Sequence, residues 1–280
     1  MQRFLWLTCL CAALAFALPV LTVPPAMAAG QAPEAANGES IAEGSYKPLG
    51  IYIAPKIGMS LMRFRGRSMG FDTVPGTGTV QILSASMNGK DDEVFGGGIS
   101  LGYDFAPRLN IPVRLELDYT TRSEVEITGS VSVPRGAGIT YEGTQKDKIA
   151  LETLLLNAWF DIPTGTAFSP YLGGGIGWAF ISHKGSHAGE YVYSTLGPPD
   201  PTYSGSGSSR EKNFAWSLGG GLAYDFTPCV SLDLGYRYIH AEHSSTNMSG
   251  YDKPNARQRS FKSKVDIKSH DIMLGLRITF

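Results

Sequence analysis

From residue 50 to its last residue, the chain alternates greasy and wet side chains with period two, in eight separate stretches. Successive side chains leave opposite faces only in an extended strand, so this pattern predicts β-structure. The last stretch shows it plainly. His270, Ile272, Leu274, Leu276, Ile278 and Phe280 share one face, and Asp271, Met273, Gly275, Arg277 and Thr279 the other. Beyond His270 the first face is unbroken apolar surface, whereas the second is mostly small, polar or charged. The same split recurs over 51–62, 95–105, 113–122, 150–162, 171–181, 214–226 and 230–240, most weakly in 150–162.

The connections decide how these strands are arranged. Short segments, 106–112, 163–170 and 227–229, alternate with long ones, 63–92, 123–147, 182–212 and 243–265. Short turns at one end, long loops at the other and an even strand count describe a transmembrane β-barrel. The sheet must close, because an open edge would leave backbone groups unpaired in hydrocarbon. The expected fold is therefore all-β: an eight-stranded, antiparallel, up-and-down transmembrane barrel with short periplasmic turns and four long extracellular loops. Aromatics fit two interfacial belts. Tyr103, Phe105, Phe160, Tyr224, Phe226 and Phe280 lie at the short-turn ends, and Phe95, Trp178, Phe180, Phe214, Trp216 and Tyr238 toward the long loops. A soluble lipocalin-type barrel with its faces reversed is the alternative. Against it, the glycines sit on the charged face, which marks that face as the crowded, inward one.

Residues 1–29 read as a secretory signal peptide. Arg3 supplies the positive start, 4–23 the apolar run, and Ala26-Met27-Ala28 the small-x-small motif for cleavage after Ala28 or Ala29. An uncleaved anchor is the alternative. Residues 30–48, rich in Ala, Glu, Gly, Ser and Pro, form a flexible lead-in, and 49–280 the barrel domain. Cys9 and Cys11 fall inside the signal, which leaves Cys229 alone and excludes an intramolecular disulfide or a cysteine zinc site. With 24 Lys+Arg against 25 Asp+Glu, the chain lacks the basic excess of a nucleic-acid binder.

At Pro170-Tyr171-Leu172-Gly173-Gly174-Gly175-Ile176-Gly177, Gly221-Leu222-Ala223-Tyr224-Asp225-Phe226, Gly235-Tyr236-Arg237-Tyr238 and the terminal Phe280, the chain resembles the small bacterial outer-membrane β-barrels: opacity proteins and the OmpA-like transmembrane domain. The resemblance covers about 50–280. It implies an integral outer-membrane location and makes Phe280 the signal read by the barrel-assembly machinery. Members of the group include adhesins, structural anchors and small channels.

Candidate chemistry follows from the alternation. Lys56, Arg114, Arg122, Arg237 and Arg277 point into the lumen with Asp104, Glu116, Asp118, Asp161, Asp225, Asp233 and Asp271. In so narrow an interior these charges must pair, either as a salt-bridged plug or along a charged conduction path. A regular hairpin over 105–113 sets Asp104 opposite Arg114 as a direct pair, with Glu116 and Asp118 extending the network toward Arg122. In loop 243–265, Lys253, Arg257, Arg259, Lys262 and Lys264 stand against Asp252 and are candidate contacts for lipopolysaccharide phosphate or an acidic host polysaccharide. His183, His187, His240, His243 and His270 read as solvent or interface histidines. The run Ser204-Gly205-Ser206-Gly207-Ser208-Ser209 reads as a flexible tip.

No catalytic residue, cofactor or metal is expected. The expected function is a non-enzymatic surface protein, structural or adhesin-like, acting through its loops on a host or surface ligand. A narrow porin-like channel is the alternative, and a lipid A-modifying enzyme is less favoured.

Overall fold

The computed structural model describes residues 48–72, 82–86, 88–136, 138–193, 200–252 and 257–280. The signal peptide and all but the last residue of the lead-in lie outside the described residues, as does Lys253. The strands are β1 (Ile51–Asp72), β2 (Ile82–Ser86), β3 (Lys90–Asp104), β4 (Val113–Arg122), β5 (Val125–Gly136), β6 (Ile139–Asp161), β7 (Phe168–Tyr193), β8 (Asp200–Thr227), β9 (Val230–Asp252) and β10 (Arg257–Thr279), with a single helical turn, α1 (Ala106–Leu109).

All pairings are antiparallel, and β10 returns to β1 from Tyr52↔Thr279 to Phe71↔Phe261, which closes the sheet. β4 and β5 both pair with β6, one after the other, so they form a single stave broken at Ser123 and Glu124. β2 lies against the far end of β1. The barrel therefore has eight staves, made from ten strand segments.

The alternation decides which face meets lipid. Ile57, Phe95, Leu101, Leu156, Ile176, Leu218, Leu234 and Ile272 are all exposed on the outer wall, a patch no soluble surface tolerates at this size. Phe160, Phe168, Tyr224, Phe226 and Phe280 stand exposed at the turn end, and Phe95, Trp178 and Phe214 at the other. The three short connections are α1 with the left-handed Asn110 (φ 55), the 162–167 segment, and a tight turn in which Cys229 and Val230 N–H groups donate to Thr227 Oγ1.

The long loops of the sequence reading are largely strand. Among the described residues, 125–136 are β5 and 139–147 the first part of β6, 182–193 and 200–212 belong to β7 and β8, and 243–252 and 257–265 to β9 and β10. Strands of 23 to 28 residues in β6 to β10 reach well beyond the alternating stretches 150–162, 171–181, 214–226, 230–240 and 270–280. Even Ser204 to Ser209 lies within β8. The physical reason is twofold. A ladder already in register extends at little further entropic cost. In addition, the lumen-facing residues of these segments bury apolar surface against one another.

Candidate functional site

The lumen is filled in layers. Near the short turns, Arg114 donates twice to Asp161, Nε and Nη2 each at 2.8 Å, with its guanidinium 4.9 Å from the Tyr171 ring centre. Arg277 lies 3.4 Å from Asp225 and 3.9 Å from Asp233. Tyr52 donates its hydroxyl to Glu116 at 3.0 Å. One step up, Lys56 bridges Glu116 (3.3 Å) and Asp118. Arg237 spans Asp118 (2.8 Å) and Asp271 (3.5 Å), and Arg122 clamps Asp271 through Nη2 at 2.5 Å and Nε at 3.2 Å. A cavity of about 60 Å³ lies among Lys56, Arg114, Glu116, Tyr171, Asp233 and Arg237, room for a few waters.

The pairing differs from the simple facing one. Asp104 and Arg114 do occupy opposite register positions. Arg114, however, turns to Asp161 on β6, its other neighbouring strand, and Asp104 Oδ1 instead accepts the Ala106 N–H at 2.9 Å. Neither Glu116 nor Asp118 binds Arg122; they take Lys56 and Arg237. A long guanidinium in a narrow tube reaches carboxylates on other staves as readily as its own neighbour, and the bidentate geometry wins.

Above this network the lumen is apolar, contrary to a uniformly wet interior. Met62, Phe64, Val94, Val125, Ile127, Ile149, Leu151, Leu155, Ala179, Ile181, Ala215, Ile239, Ala241, Val265 and Ile267 form one buried cluster across the tube. The sequence carried a usable signal: Ile149, Leu151, Ile181, Ile239 and Ile267 share the odd-numbered parity of the inward residues on their own strands.

Beyond the apolar layer sits a second polar group. Arg67 Nη2 lies 3.1 Å from Asp147, His183 Nε2 lies 3.0 Å from it, and Gln145 Nε2 donates to both Asp147 (2.9 Å) and Ser263 (2.9 Å). Burial alone would raise the Asp147 carboxyl, but hydrogen bonds from His183 and Gln145 and the nearby Arg67 hold it below the usual range. His183 and His187 are both buried here and are not solvent or interface histidines as the sequence reading had them. By contrast, His243 is exposed, while His240 and His270 sit half-buried in the outer aromatic belt against Trp216, Tyr236 and Tyr238. Arg67 points inward only because Gly66, at φ +59, carries a bulge that shifts the register between Arg65 and Ser68.

The basic run on the last hairpin splits. Lys262 and Lys264 are exposed on the outer wall of β10, and Arg257 and Arg259 lie in the same strand opposite Asp252 and Gly250. At the chain end, Phe280 N donates to Ile51 O at 2.8 Å, and its carbonyl accepts from Leu49 and Gly50. Cys229 is a free thiol in the last short turn.

Residues 17–280 match the family described as outer membrane protein beta-barrel domain. The chain is 30% identical over 235 residues to the outer membrane protein PagN of Salmonella typhimurium, spanning 82% of this chain and 90% of that one. It is 27% identical over 164 residues to opacity protein opA66 of Neisseria gonorrhoeae, spanning 50% of this chain and 67% of that one. Among solved structures, the outer membrane protein OprG from Pseudomonas aeruginosa is similar with a TM-score of 0.45 and 15% identity, over 82% of this chain and 97% of that one.

Proposed function

The chain belongs to the outer-membrane β-barrel family, and from that premise we propose that it is a non-conducting, non-enzymatic barrel that displays an adhesin-like surface on rigid strand extensions. The observation that carries this is the apolar layer around Ile149, Ile181, Ile239 and Ile267, which lies across the tube above the ion-pair network. A hydrated ion would have to shed its water to pass such a layer. The interior thus acts as a pillar, and interaction falls to the outside. Thirteen residues of β7, from Ile181 to Tyr193, lie beyond the outer belt. At about 3.3 Å per residue and a tilt of about 40°, they stand roughly 30 Å above it.

In this reading Lys262 and Lys264, with Arg257 and Arg259, serve an anionic surface or ligand, and Phe280 is the residue recognised during assembly. The lumen pairs among Lys56, Arg114, Glu116, Asp118, Arg122, Asp161, Asp225, Asp233, Arg237, Asp271 and Arg277 are structural, and Asp104 serves the turn at Ala106.

Two measurements test it. Reconstituted in planar bilayers, the protein should give no large, regular single-channel currents. Gly185 and Gly207 face each other across β7 and β8, so replacing 186–206 with a two-residue turn should close that hairpin and leave the barrel intact. Bacteria expressing the full chain should attach to host-cell monolayers, and the shortened variant should attach less. Steady conductance, or equal attachment by the shortened chain, would overturn the proposal.

A further inference from the structure

One seam of the wall is not a ladder. β8 and β9 pair from Tyr203↔Asp252 to Ser206↔Ser249 and resume only at Ala215↔Ala241. Between these points, 207–214 of β8 and 242–248 of β9 face each other without paired register. Both remain paired on their other sides, β8 to β7 and β9 to β10. Across the seam eight residues of β8 face seven of β9, while on its other side β9 bulges against β10, with exposed Glu242 and His243 opposite Asp266 alone, so its buried positions run Arg237, Ile239, Ala241, then Ser244, Thr246 and Met248.

Side chains of β8 bridge the seam instead. Asn213 Nδ2 donates to His243 O at 2.9 Å, and Ser209 Oγ donates to Ser245 O at 3.0 Å. The Ser245 N–H and Oγ donate to the Glu211 carboxylate at 3.0 and 3.2 Å. A whole side chain stands where one N–H···O bond would otherwise join the strands. The backbone ladder is therefore interrupted here, just beyond the outer aromatic belt, although the strands stay in contact: a Cβ on Gly207 would meet Asn247 O and Met248 Cα.

Two cations flank the seam on its outer side. Arg210 and Lys212 are exposed on β8, and among the described residues neither has a carboxylate within ion-pair distance. Lys212 Nζ sits 4.3 Å from the Trp178 ring centre. Directly below, Trp178 and Phe214 are paired neighbours on the lipid-facing wall. Exposed Lys264 stands at the Ser245 register on the far side of the seam.

We infer that this seam is a binding site for the phosphorylated head group of an outer-leaflet glycolipid, with Arg210 and Lys212 on the phosphate and Trp178 and Phe214 against the acyl chains. The charge is complementary, the height is that of the head groups, and the apolar and cationic surfaces are continuous. The site rests on the outer-membrane placement and is independent of the adhesin-like reading.

The test reconstitutes the full chain in vesicles containing diphosphoryl lipid A and counts lipid A retained per protein by native mass spectrometry after gentle extraction. Wild type should retain it, and Arg210→Gln/Lys212→Gln should retain at least about ten-fold less, having lost both phosphate-contacting cations. Arg210→Lys/Lys212→Arg, which keeps both charges, should retain it. The control Lys90→Gln/Lys146→Gln, which removes two exposed charges elsewhere on the wall, should behave as wild type. Heat-modifiable gel migration confirms that each variant is folded. Equal loss in the control would show diffuse charge attraction and overturn the site. Equal retention of dephosphorylated lipid A, or displacement by millimolar inorganic phosphate, would overturn the assignment to a lipid phosphate.

Discussion

Arg122→Ala should destabilise the barrel by about 3–5 kcal/mol, because it strands a carboxylate in the lumen. Arg122 and Asp271 have fully buried side chains, 0% exposed on both sides, and the guanidinium meets both carboxylate oxygens, at 2.5 and 3.2 Å. With Arg122 gone, Asp271 keeps only Arg237 at 3.5 Å and the Ser269 hydroxyl at 2.6 Å, which places the cost toward the lower end of that range. Removing both partners takes the unpaired charge away, so Arg122→Ala/Asp271→Ala should be less damaging than the sum of its singles. The comparison is Arg63→Ala, which breaks an exposed pair with Asp91 at 3.6 Å and should cost about 0–1 kcal/mol. Urea unfolding in lipid vesicles, followed by the folded-to-unfolded gel shift, reads all four. If Arg122→Ala is as mild as Arg63→Ala, or the two lumen substitutions simply add, the buried-pair reasoning is wrong.

Acid should loosen the extracellular extension before the membrane portion. Burial pushes His187 down to about 4, with Asp147 acting the other way. The unfolded segment therefore takes up its proton first, and stability falls as pH drops from about 6.5 to about 4. Asp147, held low, adds a further loss below its ordinary range. Hydrogen-exchange protection over 139–149 and 181–187, corrected for the intrinsic slowing of amide exchange in acid, should weaken between pH 7 and 4.5, and His187→Gln should flatten that slope; an unchanged slope refutes the assignment. Gly66→Ala should cost about 1–2 kcal/mol, since φ +59 disfavours a side chain and its Cβ would lie 2.8 Å from Asp266 Oδ2; the same unfolding assay checks it. Deleting 270–280 removes the β10 ladder to both β1 and β9 over the membrane and should abolish heat-modifiable folding, whereas Phe280→Ser should mainly slow surface appearance.

The period-two pattern determined that this chain forms amphipathic strands, which face of each meets lipid and, by its gaps, where the short turns fall. These are local properties: parity along one strand assigns Ile272 to lipid and Asp271 to the lumen without knowledge of any neighbour. Three matters were not local. The loops became strand because an existing ladder extends cheaply and its inward residues, such as Ile149 and Ile181, bury one another, which polar composition at Ser204 to Ser209 conceals. Parity itself breaks at Gly66 and at Glu242 and His243, so Arg67, Ser244 and Thr246 face inward against the count. Ion-pair partners were decided in the closed barrel: Arg122 meets Asp271 across the tube, 149 positions away in sequence, and Arg114 bypasses the facing Asp104 on β3 for Asp161 on its other neighbour, β6. Apart from Arg67, sequence spacing marks the charges that enter the lumen, but reach and bidentate geometry within the closed barrel choose who meets whom.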